Sequence, residues 1–192
     1  MEAVYNTWPN EWLECLKPQN QLFMKTFKTA LFALAGAFAL TSCTSVTFEE
    51  AVPPGAPQIE NIPQKFQGKW VDKESGDSFT IEIDGVYGEE LIDEASLVAF
   101  KSEGDWLYVN FDEDDYWHVG LGHLASKDKL NVYWFDPEDE NLVPQLRKIT
   151  KVQEFYDEEG EVNRYHLKPT KAEWERIQRK KLFTLSSTFY RE

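Results

Sequence analysis

The chain is short of the residues that carry covalent and metal chemistry: 192 residues include two cysteines and three histidines. No Gly-x-Ser-x-Gly elbow is present, and no cysteine follows Cys43, so a hydrolytic nucleophile has no recognisable seat. A glycine-rich phosphate loop is also missing. His118 and His123 differ by an odd number, which places them on opposite faces of one regular strand. They cannot share a metal there unless a bulge near Gly120 or Gly122 changes the parity. The third histidine is His166. Three acidic runs, Asp112 to Asp115, Asp136 to Glu140 and Asp157 to Glu159, lack the alternating Asp-x-Asp-x-Asp-Gly spacing that turns successive oxygens onto calcium, so they read as solvated loops at strand ends. The expectation is a non-enzymatic protein with no catalytic residues, metal or cofactor, against the alternative of a hydrolase without a recognisable motif.

Positive charge is scarce as well, with 20 Lys and Arg against 34 Asp and Glu for a net charge of −14. Nucleic acid is therefore not expected as a partner, and an anionic membrane surface would repel the chain. The exception is the C-terminal segment, where Arg164 to Glu192 holds eight basic residues against three Glu. A basic end packing near an acidic body fits this asymmetry.

No hydrophobic run approaches the roughly 20 residues needed to span a bilayer. The longest, Ala30 to Leu40, follows Met24, Lys25 and Lys28 and precedes Leu40-Thr41-Ser42-Cys43. A basic start, a short apolar run and a small-residue cleavage site form the signal-peptide pattern. The last four residues resemble the lipobox of bacterial lipoproteins. That resemblance implies that residues 24–42 are removed and that Cys43 becomes the diacylglycerol-modified first residue, anchoring the protein to a membrane of the cell envelope. Residues 1–23, acidic and rich in tryptophan, read as an overextended start, with a genuine N-terminal extension as the alternative. Cys15 then leaves with the signal, and no internal disulfide remains. Thr44 in place of Asp points toward the outer membrane, while Glu49 and Glu50 leave both periplasmic and surface display open. Residues 43–63, with Pro53, Pro54, Gly55, Pro57 and Pro63, read as a semi-extended tether.

The remaining stretch, 64–192, predicts a mainly β domain. Strands are expected near 66–72, 78–84, 95–101, 106–112, 116–124, 130–136, 150–157, 163–168 and 182–190, joined by turns such as Gly76-Asp77 and Gly104-Asp105. Phe79, Ile81 and Ile83 alternate with polar residues, as do Leu107, Val109 and Phe111. Thr170 and Glu173 predict a capping box for a helix whose stripe is Trp174, Ile177 and Lys181. A shorter helical turn is expected after Pro137. The reading is one antiparallel barrel, or barrel-like meander, of eight or nine strands with a helix before the last.

This order resembles the lipocalin and wider calycin architecture, and Gly68-Lys69-Trp70 resembles the Gly-x-Trp element of the first lipocalin strand. A Thr-Asp-Tyr element between middle strands is missing. The resemblance implies that Trp70 closes one end of a barrel against a late arginine, Arg191 first and Arg164 second. It also implies a small apolar or amphipathic ligand in the mouth. Strands 106–111 and 131–135 carry apolar side chains on both faces, more than one core face needs, so Tyr108 and Trp134 are the candidate ligand-facing rings. The other readings of this excess are a core that packs beneath the helix, and an interaction module that binds another envelope protein.

The lipobox carries a direct prediction. Mass spectrometry of protein purified from membranes should find a diacylglycerol-modified Cys43 at the mature N-terminus, and Cys43→Ala should release the domain or block its processing. A mature chain that retains Met24 would end the lipoprotein reading.

Overall fold

A computed structural model describes residues 6–7, 44–90, 98–113 and 115–192. The expected signal peptide, lipobox and Cys43 lie outside the described residues. Among the described residues twelve strands are present: β1 (Asn6–Thr7), β2 (Ser45–Phe48), β3 (Gly68–Asp72), β4 (Ser78–Ile81), β5 (Val86–Glu90), β6 (Val98–Glu103), β7 (Trp106–Glu113), β8 (Tyr116–Ser126), β9 (Lys129–Trp134), β10 (Val152–Tyr156), β11 (Val162–Leu167) and β12 (Thr184–Arg191). The same residues include two helices, α1 (Leu142–Leu146) and α2 (Lys171–Lys180).

The protein is mainly β, and the helix-then-last-strand order is as expected. Strands β3 to β5 and β6 to β9 are antiparallel meanders, and β12 returns to pair with both β3 and β9. The sheet does not close into a barrel, because no pairing joins β5 to β6 among the described residues. The chain between β2 and β3 crosses that seam instead. Ile59 donates its N–H to Phe100 at 2.8 Å, and Ile62 donates to Ile83 at 2.7 Å.

Strand β8 is long enough to fork the sheet. One edge pairs with β7 throughout, while the other takes β9 along its C-terminal half and β2 at Trp117. Beyond β2 lie β11, which runs parallel to it, and then β10. The expectation of a free tether over 43–63 is therefore corrected from Ser45 onward. Val46, Thr47 and Phe48 are buried, and so are Val52 and Ile62. Only four residues long and followed by prolines, β2 has too little periodicity to announce itself; its partners Trp117 and Arg164 lie far along the chain.

The same residues explain why β7 and β8 are apolar on both faces. In the β7–β8 register, Leu107, Val109 and Phe111 lie opposite Gly122, Gly120 and His118 and face inward. There Leu107 joins Trp70, Phe79, Ile81, Leu130, Val132 and Phe189 in one core. Tyr108, Val119 and Leu121 face outward into a second core with Phe48, Leu146, Trp174 and Ile177. Helix α2 is built for that position. Thr170 caps it and Glu173 reaches back to complete the box, while Trp174 and Ile177 turn inward. The expected stripe residue Lys181 is instead an exposed left-handed C-cap, with φ 51°.

Buried polar groups hold the N-terminal segment down. The Asn110 amide behaves as a strand partner for Val52, accepting its N–H at 2.7 Å and donating to its carbonyl at 2.9 Å. Lys101 donates to the Ala51 and Pro53 carbonyls at 2.7 and 2.9 Å. At one end of the inner core, Trp70 is fully buried and donates its indole N–H to Phe66 at 2.8 Å. The Arg191 guanidinium lies 4.3 Å above that ring and donates to the carbonyls of Lys65, Gln67 and Lys127. Gly68 makes room for it, since a Cβ there would sit 2.8 Å from Arg191 Nη1.

Two substitutions test this construction. Trp70→Ala and Phe48→Ala should each cost about 3 to 5 kcal/mol in urea unfolding, because each opens a cavity in one of the two cores. A chain beginning at Ile62, which loses β2 and the Asn110 clamp, should show no cooperative transition; a wild-type-like melt would mean that the outer core needs no cover.

Candidate functional site

The inner face continues past the core as a half-buried row of rings, toward the end of the strands away from Trp70. Phe111 and His118 face each other across β7 and β8, stacked at 5.3 Å and 9°. Trp134 lies over Gly120, where a Cβ would come within 3.2 Å of the indole, and meets Phe111 edge-on at 6.3 Å. Gly120 is thus the place where the sheet accepts the indole.

Farther along, β8, β11 and β10 bring Tyr116, Arg164, His166 and Phe155 together. The Arg164 guanidinium sits 3.7 Å from the Tyr116 ring centre and 4.4 Å from that of Phe155. His166 packs edge-on against Tyr116 at 5.1 Å, and its Nδ1 lies 3.1 Å from the Thr47 hydroxyl. Sandwiching leaves the rim of the guanidinium as its reactive part, and the buried Nε–H makes no hydrogen bond among the described residues. A planar cation held between two rings is preorganised to offer paired N–H groups to a carboxylate or a phosphate.

The local environment keeps the histidines neutral. Burial, and then the nearby Arg164 charge, push His118 down to about 4. Burial also lowers His166, against the opposing pull of Glu49. His123 is lowered by burial too, but it lies on the other face, 4.5 Å from Trp106. The β7–β8 ladder runs without a register shift between these positions, so the two histidines remain on opposite sides.

The two rings nominated from sequence part company. Trp134 does belong to the half-buried inner row. Tyr108 does not: it is fully buried beneath α2, where Gln178 donates to its hydroxyl, and burial raises the phenol well above its usual range. Its role is packing, because the second apolar face of β7 is covered by the helix. Arg164, named from sequence only as a second partner for Trp70, instead sits between Tyr116 and Phe155. The strand expected near 163–168 is β11, but the parallel pairing with β2 that aims Arg164 and His166 is not a local signal.

Two small pockets among the described residues lie elsewhere. A pocket of about 120 Å³ is lined by Asp136, Leu142, Lys180 and Phe183, and one of about 180 Å³ by Glu50, Pro54, Lys168 and Thr170. Drug-sized ligands usually occupy roughly 300 Å³ or more.

Neutral burial of His118 makes stability depend on pH. Its folded value, about 4, lies below the ordinary 6.5. The unfolded chain therefore binds more protons between those values, and stability is complete above pH 6.5 and falls as pH drops toward 4. The loss should be on the order of 3 kcal/mol, with His123 and His166 adding in the same direction. Urea unfolding across this range should show the decline, and His118→Phe should flatten much of it.

Comparison with known protein families, curated proteins and solved structures found no match.

Proposed function

We propose that this chain is a lipid-anchored, non-enzymatic interaction module of a bacterial cell envelope. Its anchor is Cys43, and Thr44 in place of Asp after that cysteine favours the outer membrane. The observation that carries the interaction reading is the filling of both faces of the central strands. Inside, Trp70, Phe79 and Leu107 pack into one core; outside, α1, α2 and β2 cover the second face. An apolar small molecule has little room to enter such a body. An edge contact remains open to a protein partner. Among the described residues, β5 pairs on its far side only with the two-residue β1, and Ile83 and Tyr87 beside it are 54% and 45% exposed. Added strands satisfy such an edge through main-chain hydrogen bonds.

A second reading keeps a lipocalin-like binder of an amphipathic ligand. It is favoured by the contact of Arg191 with Trp70 and by the half-buried Trp134 and Phe111 on the inner face.

A photocrosslinking residue at position 87, in cells producing the acylated protein, should give one discrete heavier species that vanishes when β5 is also interrupted by Gly88→Pro. N-phenyl-1-naphthylamine should show no saturable binding to the purified protein. Saturable binding displaced by a long-chain fatty acid, with no crosslink at 87, would replace the interaction reading with the ligand-binding one.

A further inference from the structure

We infer that the end of the domain formed by β2, β11 and the β10–β11 turn lies directly on a zwitterionic phospholipid surface, with Arg164 meeting headgroup phosphates. This rests on the lipoprotein reading of Cys43. A flexible linker of about twenty residues would let a domain float roughly 25 Å from its anchor. Here the fold removes that slack. The Thr44 hydroxyl donates to the Val162 carbonyl at 2.9 Å, and Ser45 is paired with Arg164 in the parallel ladder. One peptide unit, about 3.8 Å between α-carbons, separates Thr44 from the acylated residue. The body therefore cannot rise from the bilayer, and whatever surrounds Thr44 meets the headgroups.

The chemistry around Thr44 has two signs. Arg164 is one strand away, its guanidinium held between Tyr116 and Phe155. A phosphate suits it, and the flanking rings suit the interfacial zone in which amphipathic aromatics settle. The adjoining turn carries Asp157, Glu158, Glu159 and Glu161, and the last three are exposed. Its backbone is tied by Asp157, whose carboxylate accepts from the amides of Glu159 and Glu161 at 3.1 and 2.9 Å. An anionic leaflet would oppose these carboxylates. A phosphoethanolamine or phosphocholine headgroup matches both signs, phosphate toward Arg164 and ammonium toward the turn.

Acylated protein purified from membranes can be compared in dodecyl maltoside micelles, in phosphatidylcholine–phosphatidylethanolamine vesicles and in vesicles made half phosphatidylglycerol. Hydrogen exchange over 156–164 should slow several-fold in the zwitterionic vesicles relative to micelles. It should regain much of its micelle rate in the anionic vesicles at low salt. Arg164→Gln should abolish the slowing and Arg164→Lys should retain part of it, while both variants still pellet with vesicles and keep wild-type exchange in β3 and β4. Equal exchange in micelles and vesicles, with Cys43 acylated, overturns the docking surface. So does slowing that grows with phosphatidylglycerol or survives Arg164→Gln. An intact mass without acyl chains removes the lipoprotein reading itself, a failure distinguishable before any exchange is measured.

Discussion

Strands β7 and β8 place large apolar side chains on both of their faces, and neither face tolerates water. One strand pair therefore demands two cores. The inner demand is met by curling the meander so that Trp70, Phe79 and Phe189 meet Leu107. The outer one is met by laying α1, α2 and β2 against Tyr108, Val119 and Leu121. Each fully buried Leu, Ile or Phe contributes roughly 1.5 to 3 kcal/mol of transfer free energy, set against roughly 1 to 2 kcal/mol for each residue of covering chain that is ordered.

Covering the outer face in this way brings proline-rich chain into the body, and the polar groups on that chain then need partners. Asn110 and Lys101 supply them. An asparagine fully buried on a central strand would be costly alone, but its amide reproduces both hydrogen bonds of a peptide group and so extends the sheet by one rung over Val52. Arg191 solves a related problem at the closed end, satisfying three carbonyls while its planar face covers Trp70. In both places a long polar side chain acts as a clasp between segments far apart in sequence.

The fork in β8 gives the inner face two different ends. Where β9, β12 and β3 curl, it is closed by Trp70. Where β2, β11 and β10 flare away, the rings continue half-buried to Arg164, and the nearby histidines are kept neutral by burial and by that cation. Function is best sought on this flared end and on the β5 edge, since the interior is occupied.

Much of this was legible in the residues themselves. Alternation in Phe79–Ile81 and Leu107–Phe111 announced strands, and Thr170 with Glu173 announced a capped helix, because those signals are local and fixed by backbone period. Val86–Glu90 was missed, since Gly88 and two glutamates blur its alternation. The excess of rings on β7 was visible too, but a sequence cannot say whether a second apolar face meets ligand, partner or helix. Composition and local periodicity together determined that the chain is acidic, rich in aromatic residues and built mainly of strands. Only the tertiary structure decided that Tyr108 is covered by α2, that Ser45–Phe48 is an interior strand and that Arg164 lies between two rings. Those outcomes depend on elements distant in the chain packing together, and long-range pairing is set by which apolar faces must be covered rather than by any local preference of the chain.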